Sequence, residues 1–222
     1  LRSSTIIYVY CGRILHVHLT RRQCLFEEPC EPFYCNYTGA SSLGVYYALT
    51  QMPPRIAAFD PRNVLVFATS ATTGAPISGA SRFNVTAKSP LTGAIGDSQA
   101  GGFWGTELKY AGYDGIVLLG RAPEPVYLWI KDGVAELRDA TAVWGKQTKE
   151  THQALIAEVG ERRAQCAMIG PAGENLVKYA CIMHGLYDAA GRTGLGAVMG
   201  SKKLKAIVVR GTTNITGADA DK

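Results

Sequence analysis

Short apolar blocks, separated by stretches rich in glycine, proline and serine, run the length of this chain. In ILHVHL, residues 14–19, Leu15, Val17 and Leu19 alternate with Ile14, His16 and His18, the period-two pattern of a strand with one mostly apolar face. SSLGVYYALTQM, residues 41–52, reads as a helix stopped by Pro53 and Pro54. VLVFA at 64–68 reads as a buried strand, followed by the small-residue loop TSATTGAPISGAS. RFNVTAK at 82–88 is the next strand, and SPLTGAIGDSQAGG at 89–102 a second loop. GTELKYAG at 105–112 predicts a helix closed by a glycine, and DGIVLLG a strand. VYLWI and VAELR, joined by KDG, predict a hairpin with Asp132 and Gly133 in the turn. A helix is expected over 149–159, with Thr148 or Thr151 as its cap. AQCAMIG, NLVKYACIM at 175–183 and KAIVVRG at 205–211 complete the strands.

Eight or more strands against three or four helices, without a βαβ rhythm, predict an α+β fold on mostly antiparallel or mixed sheets. One domain is expected over 1–212, with 1–9 as an N-terminal extension and 213–222 as a linker. The 222 residues, 47% of them apolar, suffice for a real core. A net charge of +5, scattered except at Lys202, Lys203 and Lys205, makes no demand for nucleic acid. No apolar run approaches the roughly eighteen residues of a membrane span, and IIYVY near the start has no cleavage site behind it. A cytoplasmic, non-membrane protein is the expectation.

The six cysteines are Cys11, Cys24, Cys30, Cys35, Cys166 and Cys181. None is two residues from another, so a zinc or iron–sulfur site wholly within the chain lacks the close pair it normally needs. Cys24, Cys30 and Cys35 form the one candidate ligand set, against the reading of unpaired thiols in a reducing compartment. Cys166 and Cys181 lie in apolar runs and read as core residues. His16 and His18 could share a metal, yet no third ligand is visible and the outer face of a strand explains them. His152, on a polar helix face, and His184, before Gly185 in a loop, are weak candidates for acid–base work against a surface role.

The stretch DAAGRTGLGAVMG, 188–200, holds four glycines around Arg192 and runs into SKKLK. Such a segment suits backbone amides closing on an anion, although glycines also let elements pack closely. The order G-x-x-G-x-G, near the end of the chain, is not the dinucleotide fingerprint, and no P-loop pattern is present. Three loops point to one polyanionic ligand: the first ends in Arg82, the second in Gly101 and Gly102 ahead of a helix, and the third carries Arg192. Free amides at a helix start and guanidinium forks both suit phosphate.

RFNVTAKSPLTG, AGGFWGTELKYAGYDGIV, PVYLWI, IGPAGENLVKYACIM and AAGRTGLGAVMGSKKLKAIVVRGT, spread over 10–212, resemble the N-terminal domain of the aldehyde ferredoxin oxidoreductase family. The resemblance implies a base of two β-sheets under a tungsten, occasionally molybdenum, bis-pyranopterin whose phosphates are joined by Mg2+. By that resemblance the anion is pterin phosphate. Arg82 matches an arginine between pterin and a [4Fe-4S] cluster. Gln99 and Ala189 match the positions whose backbone carbonyls bind the magnesium, a hard ion that takes oxygen ligands. Asn84, Ala100, Gly101, Gly102, Asp188, Ala190, Gly191 and Arg192 complete the implied cofactor contacts. The cluster cysteines, the acid–base groups near the metal and the substrate pocket belong mainly to downstream domains, so the catalytic residues stay unassigned.

The implied activity is oxidation of aldehydes to carboxylic acids, with electrons leaving through the cluster to ferredoxin. The implied partners are ferredoxin, an aldehyde, downstream domains of the same protein and further copies of it in a homo-oligomer. An aromatic acyl-CoA reductase subunit of the benzoyl-CoA type and a degenerate pterin-binding module are the alternatives. Three departures bear on the choice. Gln99 stands where asparagine is usual, Asp188 where an arginine commonly precedes AAGR, and Ser41 where an arginine is frequent.

Overall fold

A computed structural model describes residues 9–213 and 215. IIYVY and the expected linker fall largely outside the described residues. Two mixed six-stranded sheets, six α-helices and one short 3-10 turn make up the described chain. The α+β expectation holds.

The first sheet contains β1 (Ile14–His18), β2 (Gln23–Glu27), β3 (Leu65–Thr69), β4 (Phe83–Lys88), β5 (Ile95–Ala100) and β6 (Gly115–Leu119). Its order is β2-β1-β6-β3-β4-β5, with β1 and β6 parallel and the other pairs antiparallel. The second contains β7 (Val126–Lys131), β8 (Val134–Asp139), β9 (Gln165–Met168), β10 (Ile182–His184), β11 (Asp188–Ala190) and β12 (Leu204–Arg210). Its order is β11-β10-β9-β12-β7-β8, with only β7 and β12 parallel. The main core lies between the sheets, where Phe67, Phe83 and Leu118 of one pack into a cluster with Leu128, Ile182 and Ile207 of the other. Trp104 stands fully buried in that cluster, its indole N–H donating to the Ile207 carbonyl at 3.0 Å.

The helices are α1 (Glu31–Asn36), α2 (Ala40–Gln51), α3 (Trp104–Tyr110), α4 (Thr148–Val159), α5 (Pro171–Glu174) and α6 (Leu195–Ser201). α2 turns Leu43 and Tyr47 onto the back of the first sheet, and α4 turns Leu155 onto the back of the second. Asp132 and Gly133 form the hairpin turn with positive φ of 44° and 85°, as a two-residue connection requires. No helix among the described residues is long and apolar enough to cross a membrane.

Four local expectations are corrected. The stretch 89–102 is not one loop, because it contains β5. Its inward positions Gly96, Ser98 and Ala100 are buried but small, so they carry no apolar signal. The strand expected over 175–183 shrinks to Ile182–His184, because Gly170-Pro171 starts α5 and Leu176 adopts φ 58°, outside strand geometry. Neither Thr148 nor Thr151 caps α4; Gln147 occupies that position without a side-chain hydrogen bond, and Thr151 is buried. β2, α1, β11 and α6 add elements where none was expected.

Candidate functional site

β5 and β11 are edge strands of different sheets, and they run beside one another. The Arg192 amide donates to Ser98 Oγ at 3.0 Å, and Ser89 Oγ donates to the Thr193 carbonyl at 2.7 Å. Close approach requires Gly96, since a Cβ there would stand 2.7 Å from Thr193 Oγ1. This seam gathers Gln99, Ala100, Gly101 and Gly102 against Asp188, Ala189, Ala190, Gly191 and Arg192. Edge strands keep one row of peptide groups outside the sheet ladder, so such a seam can offer carbonyl oxygens to a hard cation.

Arg82, Asn84 and Gln99 line a neighbouring cavity of about 200 Å3, together with Ala40, Ser70 and Gly79. Asn84 is 1% exposed, and its Nδ2 donates to Ser41 Oγ at 3.1 Å and to Asp97. Asp97 also accepts from Ser41 Oγ at 2.8 Å and from Thr86 Oγ1 at 3.1 Å. Asn84 Oδ1 is left buried with no partner. Turning the amide over would aim that oxygen at a carboxylate, so the orphan is an acceptor. Leaving a buried acceptor unpaired costs about 1–3 kcal/mol. A ligand donor beside the cavity would recover that cost. Ser41, which stands where an arginine was expected, is therefore a hydroxyl link between Asn84 and Asp97.

The glycines of 188–200 divide into two kinds. A Cβ on Gly194 would collide with the Lys178 carbonyl, one on Gly196 with that of Cys181, and one on Gly200 with that of Gly173. These three serve close packing of α6 under 173–181. A Cβ on Gly191 would meet nothing within 4 Å, and one on Gly101 would meet only Asp188 Oδ1 at 3.5 Å. Among the four glycines of 188–200 and Gly101, these two lie open enough to admit a ligand. Arg82 and Arg192 are exposed, and neither guanidinium makes an ion pair among the described residues. The Asp188 carboxylate turns toward the glycine pair, 2.9 Å from where a Cβ on Gly102 would lie, and meets no cation within 4 Å among the described residues.

The basic run is not part of this surface. Lys202 is buried with Nζ donating to the carbonyls of Pro61 at 3.2 Å and Gly120 at 3.1 Å, and burial pulls its pKa down to about 7. Lys205 is buried against the Lys146 carbonyl and Glu174, while Lys203 reaches the Pro123 carbonyl. All three cations are used internally, so the run that follows the glycine stretch offers no charge to an anion there.

His184 is not in a loop. It ends β10, is 3% exposed, and its Nε2 accepts from the Phe103 amide at 2.9 Å and the Trp104 amide at 3.3 Å. Nδ1 lies 3.3 Å from the Cys166 carbonyl. Burial holds its pKa below the usual histidine value, against the opposite pull of that carbonyl and of Asp188. His152 is half-buried, lies beside Ile156 and Gly160 in a surface groove, and keeps a buried, unpartnered Nδ1; burial lowers its pKa too. His16 pairs with Glu27 at 3.2 Å, and His18 Nδ1 accepts from the Arg21 amide. Among the described residues no group of three or more His, Cys, Asp or Glu could hold a metal, so Cys24, Cys30 and Cys35 form no ligand set. Cys166 is core, whereas Cys181 is only partly buried, its thiol 3.6 Å from Met183 Sδ.

Comparison with known proteins bears on this seam. The family profile for the aldehyde ferredoxin oxidoreductase N-terminal domain matches residues 14–211. The tungsten-containing aldehyde ferredoxin oxidoreductase of Pyrococcus abyssi is 47% identical over 97% of this chain, and the aliphatic sulfonate oxidoreductase WOR-like subunit of Pyrococcus furiosus 36% identical over 93%. The chain spans 36% and 35% of the length of those relatives. The active-site complex BamBC of benzoyl coenzyme A reductase, solved with 1,5-dienoyl-CoA, superposes with a TM-score of 0.91 at 42% identity, covering 94% of this chain and 32% of that one. With its two sheets, its meeting edges and a profile match from the first strand to the last, the chain belongs to the aldehyde ferredoxin oxidoreductase family, as the N-terminal domain.

Proposed function

We propose that residues 1–212 form the cradle for a tungsten (or molybdenum) bis-pyranopterin in a longer oxidoreductase, and that 213–222 lead on to its remaining domains. When bound, that group supplies the two-electron redox chemistry, and the protein supplies binding and orientation. Carbonyls of Gln99 and Ala189 would ligate Mg2+, with Arg82 and Arg192 on the pterin and its phosphates and Gly101 and Gly191 admitting the ring system. The observation that carries the reading is the seam between β5 and β11, where Gly191 is open, the exposed Arg192 guanidinium makes no ion pair among the described residues, and the buried acceptor of Asn84 beside it has no partner. Downstream domains would hold the [4Fe-4S] cluster and the aldehyde, with ferredoxin receiving the electrons.

A second reading is favoured by the close superposition on the benzoyl coenzyme A reductase complex, in which this cradle would serve an aromatic acyl-CoA reductase. Anaerobically purified full-length protein separates the two readings. Aldehyde-dependent reduction of a viologen dye supports the first, and oxidation of reduced dye by an aromatic CoA thioester supports the second. Neither activity, in folded protein, argues for a degenerate module.

A further inference from the structure

His184 joins three elements at the back of the seam. The amides of Phe103 and Trp104 can only donate, so Nε2 carries no proton and Nδ1 donates to the Cys166 carbonyl of β9. Phe103, at the N-cap of α3, provides no side-chain cap, so the imidazole takes up the N-cap amide and the first-turn amide of buried Trp104, which would otherwise lack a helical partner. The same ring occupies the space where a Cβ on Gly102 would fall, and Gly102 has φ 76°. The chain leaving Gln99 through Gly101 and Gly102 thus follows its course because glycine and imidazole fill one space together.

We propose that His184 is a positioning residue of the cofactor cradle, its unprotonated Nε2 anchoring the Gly101–Gly102 turn, and with it the end of β5, against β10 and β11. The inference rests on the proposed function of the seam. Around the ring stand Asp188, its register partner on β11, His152 of α4, the Phe83 ring of β4 at 6.1 Å edge-on, and the Cys166 carbonyl. Asp188 favours a charged ring, while burial and His152 oppose it. Protonation would turn Nε2 into a donor facing two donors, so the anchor is an acid-sensitive one.

The test uses full-length protein from tungstate-fed cells. H184F keeps a ring of similar size without an acceptor; H184Q keeps a neutral acceptor. H184F is expected to lose on the order of tenfold in retained tungsten, as loss of a supporting partner does at metal sites, and H184Q to stay near wild type. Amide exchange over 103–104 in the wild type, corrected for intrinsic rates, should lose protection as pH falls through the folded-state pKa of His184, which burial places below the ordinary histidine value. Wild-type tungsten content in folded H184F, or equal loss in both variants, would overturn the proposal. Should H184F fail to fold, unchanged protection at acid pH overturns it. A wild type without tungsten or molybdenum would instead sink the functional reading, while the exchange experiment still decides whether Nε2 anchors the turn.

Discussion

The Arg192 amide donates to Ser98 Oγ across 3.0 Å, although the two residues are 94 positions apart, Ser98 on β5 of one sheet and Arg192 in the loop just past β11 of the other. Ser98 is 5% exposed and inward-facing on β5, so this bond helps fix the spacing of the two edges between which the cofactor is proposed to lie. S98A should lower stability by about 1 kcal/mol, the usual worth of one such hydrogen bond. Denaturant unfolding of the full-length protein checks this; an unchanged midpoint would mean the edges are held apart by other contacts.

Gly191 and Gly200 share one glycine-rich stretch yet should respond in opposite ways. A Cβ on Gly200 collides with backbone at Gly173, so G200A should cost at least the roughly 1–3 kcal/mol of core overpacking. G191A meets nothing in the protein. It should unfold like wild type while retaining less tungsten. Paired melting curves and metal analysis read both effects.

Asp188 places a carboxylate beside the open glycines, where phosphate binding would call for positive charge. D188N should retain more phosphate-bearing cofactor through washes in high salt, and D188R more again. Phosphorus and tungsten per chain are the measurements. Equal retention in all three proteins would show that the carboxylate does not face the bound anion.

Lys202 gives stability a pH dependence of predictable sign. Its pKa lies near 7 in the folded protein, below the ordinary 10.5, so the unfolded chain binds more protons between these values. Stability from this group is complete above 10.5 and is lost as pH falls toward 7. K202M should lack this component, so the wild type minus K202M difference in unfolding free energy should rise from pH 7 to 10. A flat difference would place the folded pKa near its ordinary value.

Strands and helices with large apolar faces were legible in the sequence. ILHVHL, SSLGVYYALTQM and the VYLWI–KDG–VAELR hairpin form as expected, because a period of two or 3.6 in big side chains survives without knowledge of partners. β5 was hidden because its buried face is Gly96, Ser98 and Ala100, too small to carry an apolar signal, and at Gly96 the small residue is required by Thr193, remote in sequence. NLVKYACIM misled for the converse reason, a strand-like pattern cut short by a helical turn at Gly170-Pro171. At the candidate site the collinear AAGR and AGGFWG runs carried the signal. The lysines of SKKLK, the Ser41–Asp97 bond and the capping role of His184 were not legible, since each depends on a partner remote in sequence.

The most direct test of the cradle is elemental analysis of the full-length protein, purified without oxygen from cells given both tungstate and molybdate. Near-stoichiometric tungsten or molybdenum, accompanied by pterin phosphate, is the predicted result. A folded protein containing neither metal would contradict the account.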